Sequence, residues 1–152
     1  MQLERPLELL ERLGGSPGAL AQAGELEAQV GVVGVLGQRA AELGLPVLLH
    51  PAKPLTTEFV KGYEMTSSLG NMFDNTIALT RLLMSGLLDE LPKLKLVCPH
   101  LGGTLPYISG RMDHQVTVLK RSTQTLQRKP SEYLRDIYMD IVSPLPEAIR
   151  RS

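Results

Sequence analysis

Two histidines stand at the ends of short apolar runs, and they are the residues best placed to do chemistry. His50 directly follows the apolar residues 45–49, and His100 follows the mostly apolar residues 94–98 after one proline, Pro99. A neutral imidazole nitrogen binds divalent metals and also exchanges protons near pH 7, so each ring could serve as a metal ligand or as a general acid or base. The spacing alone does not say which ring does which. A lone histidine near a core is more often a hydrogen-bonded structural residue, but the repetition favours a site.

The elements that position these histidines are predicted to be parallel strands. Apolar runs bounded by proline or glycine are typical of buried strands, and they predict strands over 45–49, 94–98 and 137–142. Helical segments between them imply right-handed βαβ crossovers and an α/β fold with a parallel sheet. The carboxyl ends of parallel strands share one edge, so we expect both imidazoles to face a single cleft there.

Helix signals fill the intervals between these strands. A helix over 38–43 should end at Gly44, and a helix over 73–84 should have Asp74 as its N-cap and end at Gly86. Further predictions are a helix over 3–13, a long loop over 51–66, a short turn over 87–91, a helix over 105–127 broken near Gly110, and the start of a helix in the last eight residues.

The chain divides into two unequal parts. Residues 1–37 form a helical and glycine-rich N-terminal segment, and residues 38–152 form the main domain. The run from Gly31 to Gly37 could be a strand or a turn into the next helix. Its glycine spacing is not the dinucleotide-binding fingerprint, and close backbone packing is the favoured interpretation.

Composition excludes several classes of protein. With 152 residues, of which 43% are hydrophobic and 21% charged, the chain has enough apolar material for one core. Sixteen basic residues balance sixteen acidic ones, so there is no electrostatic footprint for nucleic acid or an anionic membrane. The single cysteine, Cys98, lies in an apolar run and is expected to be a buried, inert thiol. The absence of a signal-peptide-like or membrane-spanning run makes the cytoplasm the expected compartment.

Three segments resemble the amidohydrolase superfamily, in the branch that includes 2-amino-3-carboxymuconate semialdehyde decarboxylase and other nonoxidative decarboxylases. They are AAELGLPVLLHP (40–51), ALTRLLMSGLLDELPKLKLVCPHLGGTLPYISGRMD (78–113) and PSEYLRDIYMDIVS (130–143). The resemblance implies a distorted TIM barrel with one divalent metal at the carboxyl end of its strands. Zinc is the first expectation, with manganese, iron or cobalt as alternatives. The implied activity is nonoxidative decarboxylation or hydrolysis of a small carboxylated substrate.

The same resemblance assigns roles to individual residues. His50 resembles the metal ligand on the fifth barrel strand, and His100 resembles the general acid/base on the sixth. Arg111 resembles the arginine that binds a substrate carboxylate from a partner subunit, which leaves a homodimer open as the assembly. Gly102 and Gly103 are expected to let the backbone pass close to the site.

Three residues, one of them Arg111, can also be interpreted as structural or surface residues. Arg111 could instead form a surface ion pair with Asp113 or Asp136, an alternative that the sequence leaves open. His114, three residues after Arg111, is expected to lie on the solvated surface. Asp140 is placed inside the third strand and is expected to be structural.

The chain also departs from the family pattern. The first-strand H-x-H pair and the eighth-strand aspartate are missing, and a complete barrel takes about 250 residues. We therefore expect a piece of a longer enzyme, holding roughly barrel strands five to seven, with little activity and weak metal retention on its own. A noncatalytic assembly module that pairs its open strand edges is the alternative. A metal-free α/β hydrolase is disfavoured because there is no GxSxG elbow.

Overall fold

A computed structural model of the chain describes residues 33–51, 57–142 and 147. Its three strands, β1 (Pro46–Leu48), β2 (Lys95–Cys98) and β3 (Ile137–Met139), form one sheet in the order β1-β2-β3. Both strand pairs are parallel. The predicted parallel α/β architecture is confirmed, although each strand is shorter than its apolar run.

The helix before β1 is longer than the sequence predicts. Helix α1 covers residues 33–43 and ends at Gly44, whose φ of +67° is the left-handed conformation expected there. The described part of the run that could be a strand or a turn is therefore helical. A Cβ at Gly37 would lie 3.3 Å from Leu94 Cδ2, so the missing side chain lets α1 pack closely against the residue before β2.

The segment after His50 contains regular structure where a loop is predicted. Helix α2 (Thr57–Val60), a 3₁₀ turn (Gly62–Glu64) and a π-helical turn (Thr66–Gly70) follow one another. Val60 is buried and anchors the segment, which explains why this part of the loop prediction over 51–66 is wrong. Residues 52–56 of the predicted loop lie outside the described residues. The helix predicted over 3–13 also lies outside them, and so does the helix start predicted in the last eight residues, apart from residue 147.

The central helix, α3 (Asn71–Met84), begins earlier than predicted. Asp74 lies within its first turn and is not the N-cap, because the π-helical turn runs directly into α3 and the Asn71 N–H bonds to the Thr66 carbonyl. The Asp74 carboxylate still suits the positive end of the helix dipole. Gly86, with φ of +80°, follows the end of α3 as expected, and the predicted turn after it is the one-turn helix α4 (Leu87–Glu90).

Helix α5 (Leu105–Thr117) is shorter than predicted and is not broken near Gly110. The Cβ position of Gly110 faces open space, so nothing forces a kink. The helix stops because Arg121 N–H bonds back to the Gln115 carbonyl while Lys120 takes a left-handed φ of 53°. Residues 118–129 are therefore not helical, and the short helix α6 (Pro130–Tyr133) leads into β3.

The two faces of the sheet have different surroundings. The row Val47, Leu96 and Ile137 faces the core that helices α3 and α5 build with the sheet. On the other face, the row Leu48, Val97 and Tyr138 is open, with Leu48 64% and Tyr138 60% exposed. Among the described residues, no helix is both long enough and apolar enough to cross a membrane.

Candidate functional site

The two predicted histidines converge at the carboxyl edge of the sheet. His50 follows β1 and His100 follows β2, and their ring centroids lie 6.2 Å apart with the ring planes tilted by 56°. The parallel pairing of β1 with β2 brings both chain ends to the same edge. This closeness is the spatial relationship that the sequence predicts.

His50 presents an exposed ring whose hydrogen-bonding pattern suits a metal ligand. Its Nδ1 lies 3.0 Å from the carbonyl oxygen of Pro51. Because a carbonyl oxygen only accepts, Nδ1 must carry the hydrogen, and the lone pair of the neutral ring is then on Nε2. A carbonyl partner on one nitrogen is the usual device that frees the other nitrogen for a metal.

In His100 the role of Nδ1 is reversed, because this atom accepts a hydrogen bond from a buried amide. The Asn75 side-chain nitrogen, on helix α3, lies 2.9 Å from the Pro99 carbonyl oxygen and 2.8 Å from His100 Nδ1. The Pro99 carbonyl requires the NH₂ end of the amide to face it, and the second hydrogen then points at Nδ1. Nδ1 is therefore an acceptor, and Nε2 carries the hydrogen of the neutral ring.

The backbone that carries His100 is left-handed over four successive residues. His100, Leu101, Gly102 and Gly103 have φ values of 57°, 54°, 73° and 69°. Such a conformation costs roughly 1–3 kcal/mol for each non-glycine residue, so neighbouring contacts must hold it. The Asp140 carboxylate supplies one such contact because its Oδ1 accepts the Leu101 N–H at 3.1 Å.

Asp140 is at the edge of the site and not inside a strand as predicted. Strand β3 ends at Met139, so Asp140 stands at the same carboxyl edge as the two histidines. Partial burial would raise its pKa, but backbone N–H donors from Leu101, His100 and Val142, together with the His100 charge, hold the pKa below its ordinary value. Asp140 is therefore an ionised anchor for the turn. The feature of the sequence that could have indicated this role is an acidic residue at the end of an apolar run.

The two glycines of the turn allow close packing against other parts of the fold. A Cβ at Gly103 would overlap the Met72 carbonyl oxygen and the Thr76 hydroxyl on α3, and a Cβ at Gly102 would lie 2.9 Å from Met139 Cε. The close approach predicted for these glycines exists. Its partners are helix α3 and strand β3.

Helix α3 contributes two buried polar residues that sequence reasoning missed. Asn75 is 3% exposed, and Thr76 accepts the Thr104 N–H at 2.8 Å and donates to the Met72 carbonyl at 2.7 Å. Through Thr76, α3 fixes the start of α5 directly after the histidine turn. The signal available in the sequence was a polar pair on an otherwise apolar helix face.

Arg111 makes no hydrogen bond to either histidine among the described residues. It lies on α5 with an exposed side chain that makes no hydrogen bond or ion pair within residues 33–51 or 57–142. Neither predicted ion pair forms, because Asp136 pairs with Arg128 at 2.6 Å and Asp113 accepts the Ser131 hydroxyl at 2.6 Å. His114 is exposed on the same helix, as predicted.

Cys98 is buried, as predicted. Burial, and secondarily the Asp140 charge, raises the pKa of its thiol to about 12. A thiol with so high a pKa is protonated at neutral pH, so its low reactivity stays a prediction that labelling can test.

The residues that the structure describes do not form a complete metal centre. Within these ranges no group of three His, Cys, Asp or Glu side chains is arranged to hold a metal ion. The His50 Nε2 lone pair is a suitable ligand, but the Asp140 carboxylate is occupied by backbone N–H groups and His100 Nε2 carries a hydrogen. A tightly bound catalytic metal needs about three protein ligands, so further donors are required.

A separate cavity of about 580 Å³ lies among residues 116–132. Its lining includes Lys120, Gln124 and Glu132, but none of the predicted site residues. The predicted site residues therefore lie outside this cavity.

Comparison with known proteins agrees with the fold and the family. A family model described as amidohydrolase matches residues 21–145. A 6-methylsalicylic acid decarboxylase from Penicillium expansum is 28% identical over 97 residues, covering 64% of this chain and 30% of that protein. A gamma-resorcylate decarboxylase from Polaromonas sp. (strain JS666 / ATCC BAA-500) is 31% identical over 101 residues, covering 62% of this chain and 30% of that protein.

A solved structure is similar over the same region. It is the dihydroxybenzoic acid decarboxylase from Polaromonas sp. JS666 with bound manganese and the inhibitor 2-nitroresorcinol. The TM-score is 0.56 at 26% identity, covering 67% of this chain and 32% of that one. The chain thus spans about a third of the length of these relatives. Because the family model matches more than half of the chain, the chain belongs to the amidohydrolase family and folds as an incomplete α/β barrel of that family.

Proposed function

We propose that this chain forms part of a metal-dependent nonoxidative decarboxylase that acts on a small carboxylated aromatic compound. The observation that carries the proposal is the convergence of His50 and His100 at one sheet edge, where Nδ1 of His50 donates a hydrogen bond to the protein and Nδ1 of His100 accepts one. The names of the relatives support this reaction class, since three of them are decarboxylases of aromatic acids.

The proposed division of labour follows from the hydrogen bonds. His50 leaves the Nε2 lone pair free and is the proposed metal ligand, with the other ligands coming from outside the described residues. A divalent metal bound there would bind and polarise an oxygen of the substrate. Manganese in the similar Polaromonas structure favours a divalent ion, and zinc, iron and cobalt remain candidates.

His100 is the proposed acid/base residue. In the overall reaction, the bond between the ring carbon and the carboxylate breaks, its electron pair stays with the ring carbon, carbon dioxide leaves, and a proton joins that carbon. His100 Nε2 is the ring nitrogen that no other described residue occupies, so the proton is proposed to leave from this atom while Nδ1 takes up a proton from solvent, which keeps the ring from becoming an imidazolate.

Arg111 is proposed to bind the substrate carboxylate in a second copy of the protein. A guanidinium holds a carboxylate through two parallel hydrogen bonds, and Arg111 is exposed with no partner among the described residues. Its exposure is consistent with action on a neighbouring subunit in a homodimer.

A chimera tests the proposed reaction. Residues 46–142 replace the matching segment of the Polaromonas gamma-resorcylate decarboxylase, and carbon dioxide release from gamma-resorcylate is measured with added manganese. We expect activity, and His100→Gln should lower kcat by about 10²–10⁴-fold. His114→Gln, an exposed histidine on α5, is the matched control and should leave the rate unchanged. A folded chimera without activity, or one indifferent to His100→Gln, would contradict the proposal.

A noncatalytic assembly module is the second candidate. It is favoured by the open row Leu48, Val97 and Tyr138, an apolar sheet face without cover among the described residues. Both candidates allow a dimer, so activity of the chimera separates them, and light scattering on the purified chain tests assembly itself. A defined dimer that does not dissociate on dilution supports assembly, whereas a monomer or a polydisperse sample counts against it.

A further inference from the structure

Asn75 is the most deeply buried polar side chain in contact with the proposed acid/base residue. It is 3% exposed, it comes from helix α3 and not from the strand that carries His100, and both hydrogens of its amide nitrogen have acceptors. An amide buried to this degree stays hydrogen-bonded because an unsatisfied donor costs about 1–3 kcal/mol. Its orientation is therefore fixed.

The Pro99 carbonyl decides what Asn75 can do to His100. If the amide were turned by 180°, its oxygen would lie beside the Pro99 carbonyl oxygen, two acceptors with no hydrogen between them. The amide nitrogen must therefore stay where it is, and its second hydrogen must point at His100 Nδ1. The neighbouring carbonyl thus selects the amide orientation, and the amide selects the ring tautomer.

The backbone around His100 makes such a partner necessary. His100 and Leu101 both have left-handed φ values, and Asp140 holds the turn only through backbone N–H groups. Among the described residues, Asn75 makes the single hydrogen bond to the His100 ring, so it sets the direction of the imidazole.

From this geometry, and resting on the proposed function, we infer that Asn75 is a positioning residue that fixes His100 as the Nε2–H tautomer and keeps Nε2 available to the substrate. The role is one of orientation, since Asn75 touches His100 and not the reacting atoms. It also has a chemical corollary: a second proton on Nδ1 requires the amide to rotate and to give up its bond to Pro99.

The test reads the tautomer directly and does not depend on activity. Long-range proton–nitrogen NMR correlations of the three histidine side chains are recorded on the 152-residue chain at about pH 9, where imidazoles are neutral. In the wild-type chain, His100 should show hydrogen on Nε2 and none on Nδ1. Exposed His114 serves as the internal reference.

Asn75→Asp is the informative variant, because a carboxylate can only accept and should draw the hydrogen to Nδ1. We expect the tautomer ratio of His100 to change by at least about tenfold, the equivalent of one charge-assisted hydrogen bond. The matched control is Asn71→Asp, which makes the same change one helical turn earlier on α3 and should leave the ratio unaltered.

Three results would overturn the inference. They are hydrogen on Nδ1 of His100 in the wild-type chain, an unchanged ratio in folded Asn75→Asp, and an equal change in Asn71→Asp. If Asn75→Asp does not fold, the wild-type tautomer alone decides. Failure of the chimera to decarboxylate would refute the proposed function and leave this measurement intact.

Discussion

The Asp140 carboxylate accepts a 3.1 Å hydrogen bond from the Leu101 backbone N–H, and this bond joins the end of β3 to the turn that follows β2. The same oxygen also accepts the Val142 N–H at 3.3 Å. One side chain thus holds two chain segments at the edge where His50 and His100 meet.

Loss of the Asp140 charge should destabilise the protein in a pH-dependent way. The pKa of Asp140 in the folded protein lies below its ordinary value, so its stabilising contribution is present above that ordinary value and disappears as the pH falls through the lowered one. Urea denaturation should show Asp140→Asn less stable than wild type by about 1 kcal/mol at pH 7, and the gap should close towards pH 3. Asp136→Asn, at an exposed pair with Arg128, is the control and should show a smaller difference. A constant gap for Asp140→Asn would contradict the assignment.

Gly103 and Gly110 should respond oppositely to alanine. At Gly103, φ is +69° and a Cβ would overlap the Met72 carbonyl and the Thr76 hydroxyl, so Gly103→Ala should cost more than about 2 kcal/mol. Gly110 lies inside α5 with open space at its Cβ position, so Gly110→Ala should stabilise by about 0.5–1 kcal/mol. Chemical denaturation of both variants measures the contrast, and a tolerated Gly103→Ala would show that the turn can move away from α3.

Tyr133 is predicted to be a structural anchor through its hydroxyl. The hydroxyl donates to Asp89 at 2.6 Å and accepts the Arg128 N–H at 3.2 Å, and the ring is 1% exposed. Tyr133→Phe removes both bonds and should lower the free energy of unfolding by about 1–2 kcal/mol. Tyr138→Phe, on the open face of the sheet, should change it by less than about 0.5 kcal/mol. Equal effects of the two substitutions would argue against the anchor.

Cys98 should react with thiol reagents only when the protein opens. Its side chain is fully buried and its pKa is about 12, so thiolate is scarce at neutral pH. Labelling with an aromatic disulfide at pH 7 should proceed at the rate of unfolding and accelerate in urea. Because the chain has one cysteine, the signal reports this site alone. Rapid and complete labelling of the native chain would contradict the packing of β2 against the helices.

Metal binding by the chain alone should be weak and should depend on His50. Manganese titration, followed by paramagnetic broadening of side-chain NMR signals, should affect His50 before exposed His114, and His50→Ala should remove this preference. Desalting should strip the metal because the described residues supply one suitable ligand. Near-stoichiometric metal in the desalted protein would show that further ligands are present.

The sequence predicted the sheet and the convergence of the histidines because both depend on strong local signals. Apolar runs ended by histidine mark parallel strands, and the shared edge follows from their pairing. The glycines that end helices, Gly44 and Gly86, were also predictable from the sequence, since a left-handed residue after a helix is a local requirement.

What could not be predicted depends on contacts between distant residues. Asn75 acts on a ring 25 positions away, and Asp140 on a backbone N–H 39 positions away. The end of α5 depends on a six-residue turn closed by the Arg121 N–H and the Gln115 carbonyl, and not on Gly110, where the break was predicted. Helix boundaries and hydrogen-bond partners of this kind require the three-dimensional packing.

The order of the strands has an evolutionary consequence. Both imidazoles, the amide that orients one of them and the carboxylate that braces the turn all come from one uninterrupted stretch, and β1, β2 and β3 are neighbours in the sheet in the same order as in the gene. Recombination that exchanged this stretch between two barrels would transmit the paired rings with their supporting hydrogen bonds intact. The segment would thus pass on the arrangement of the two histidines as one unit.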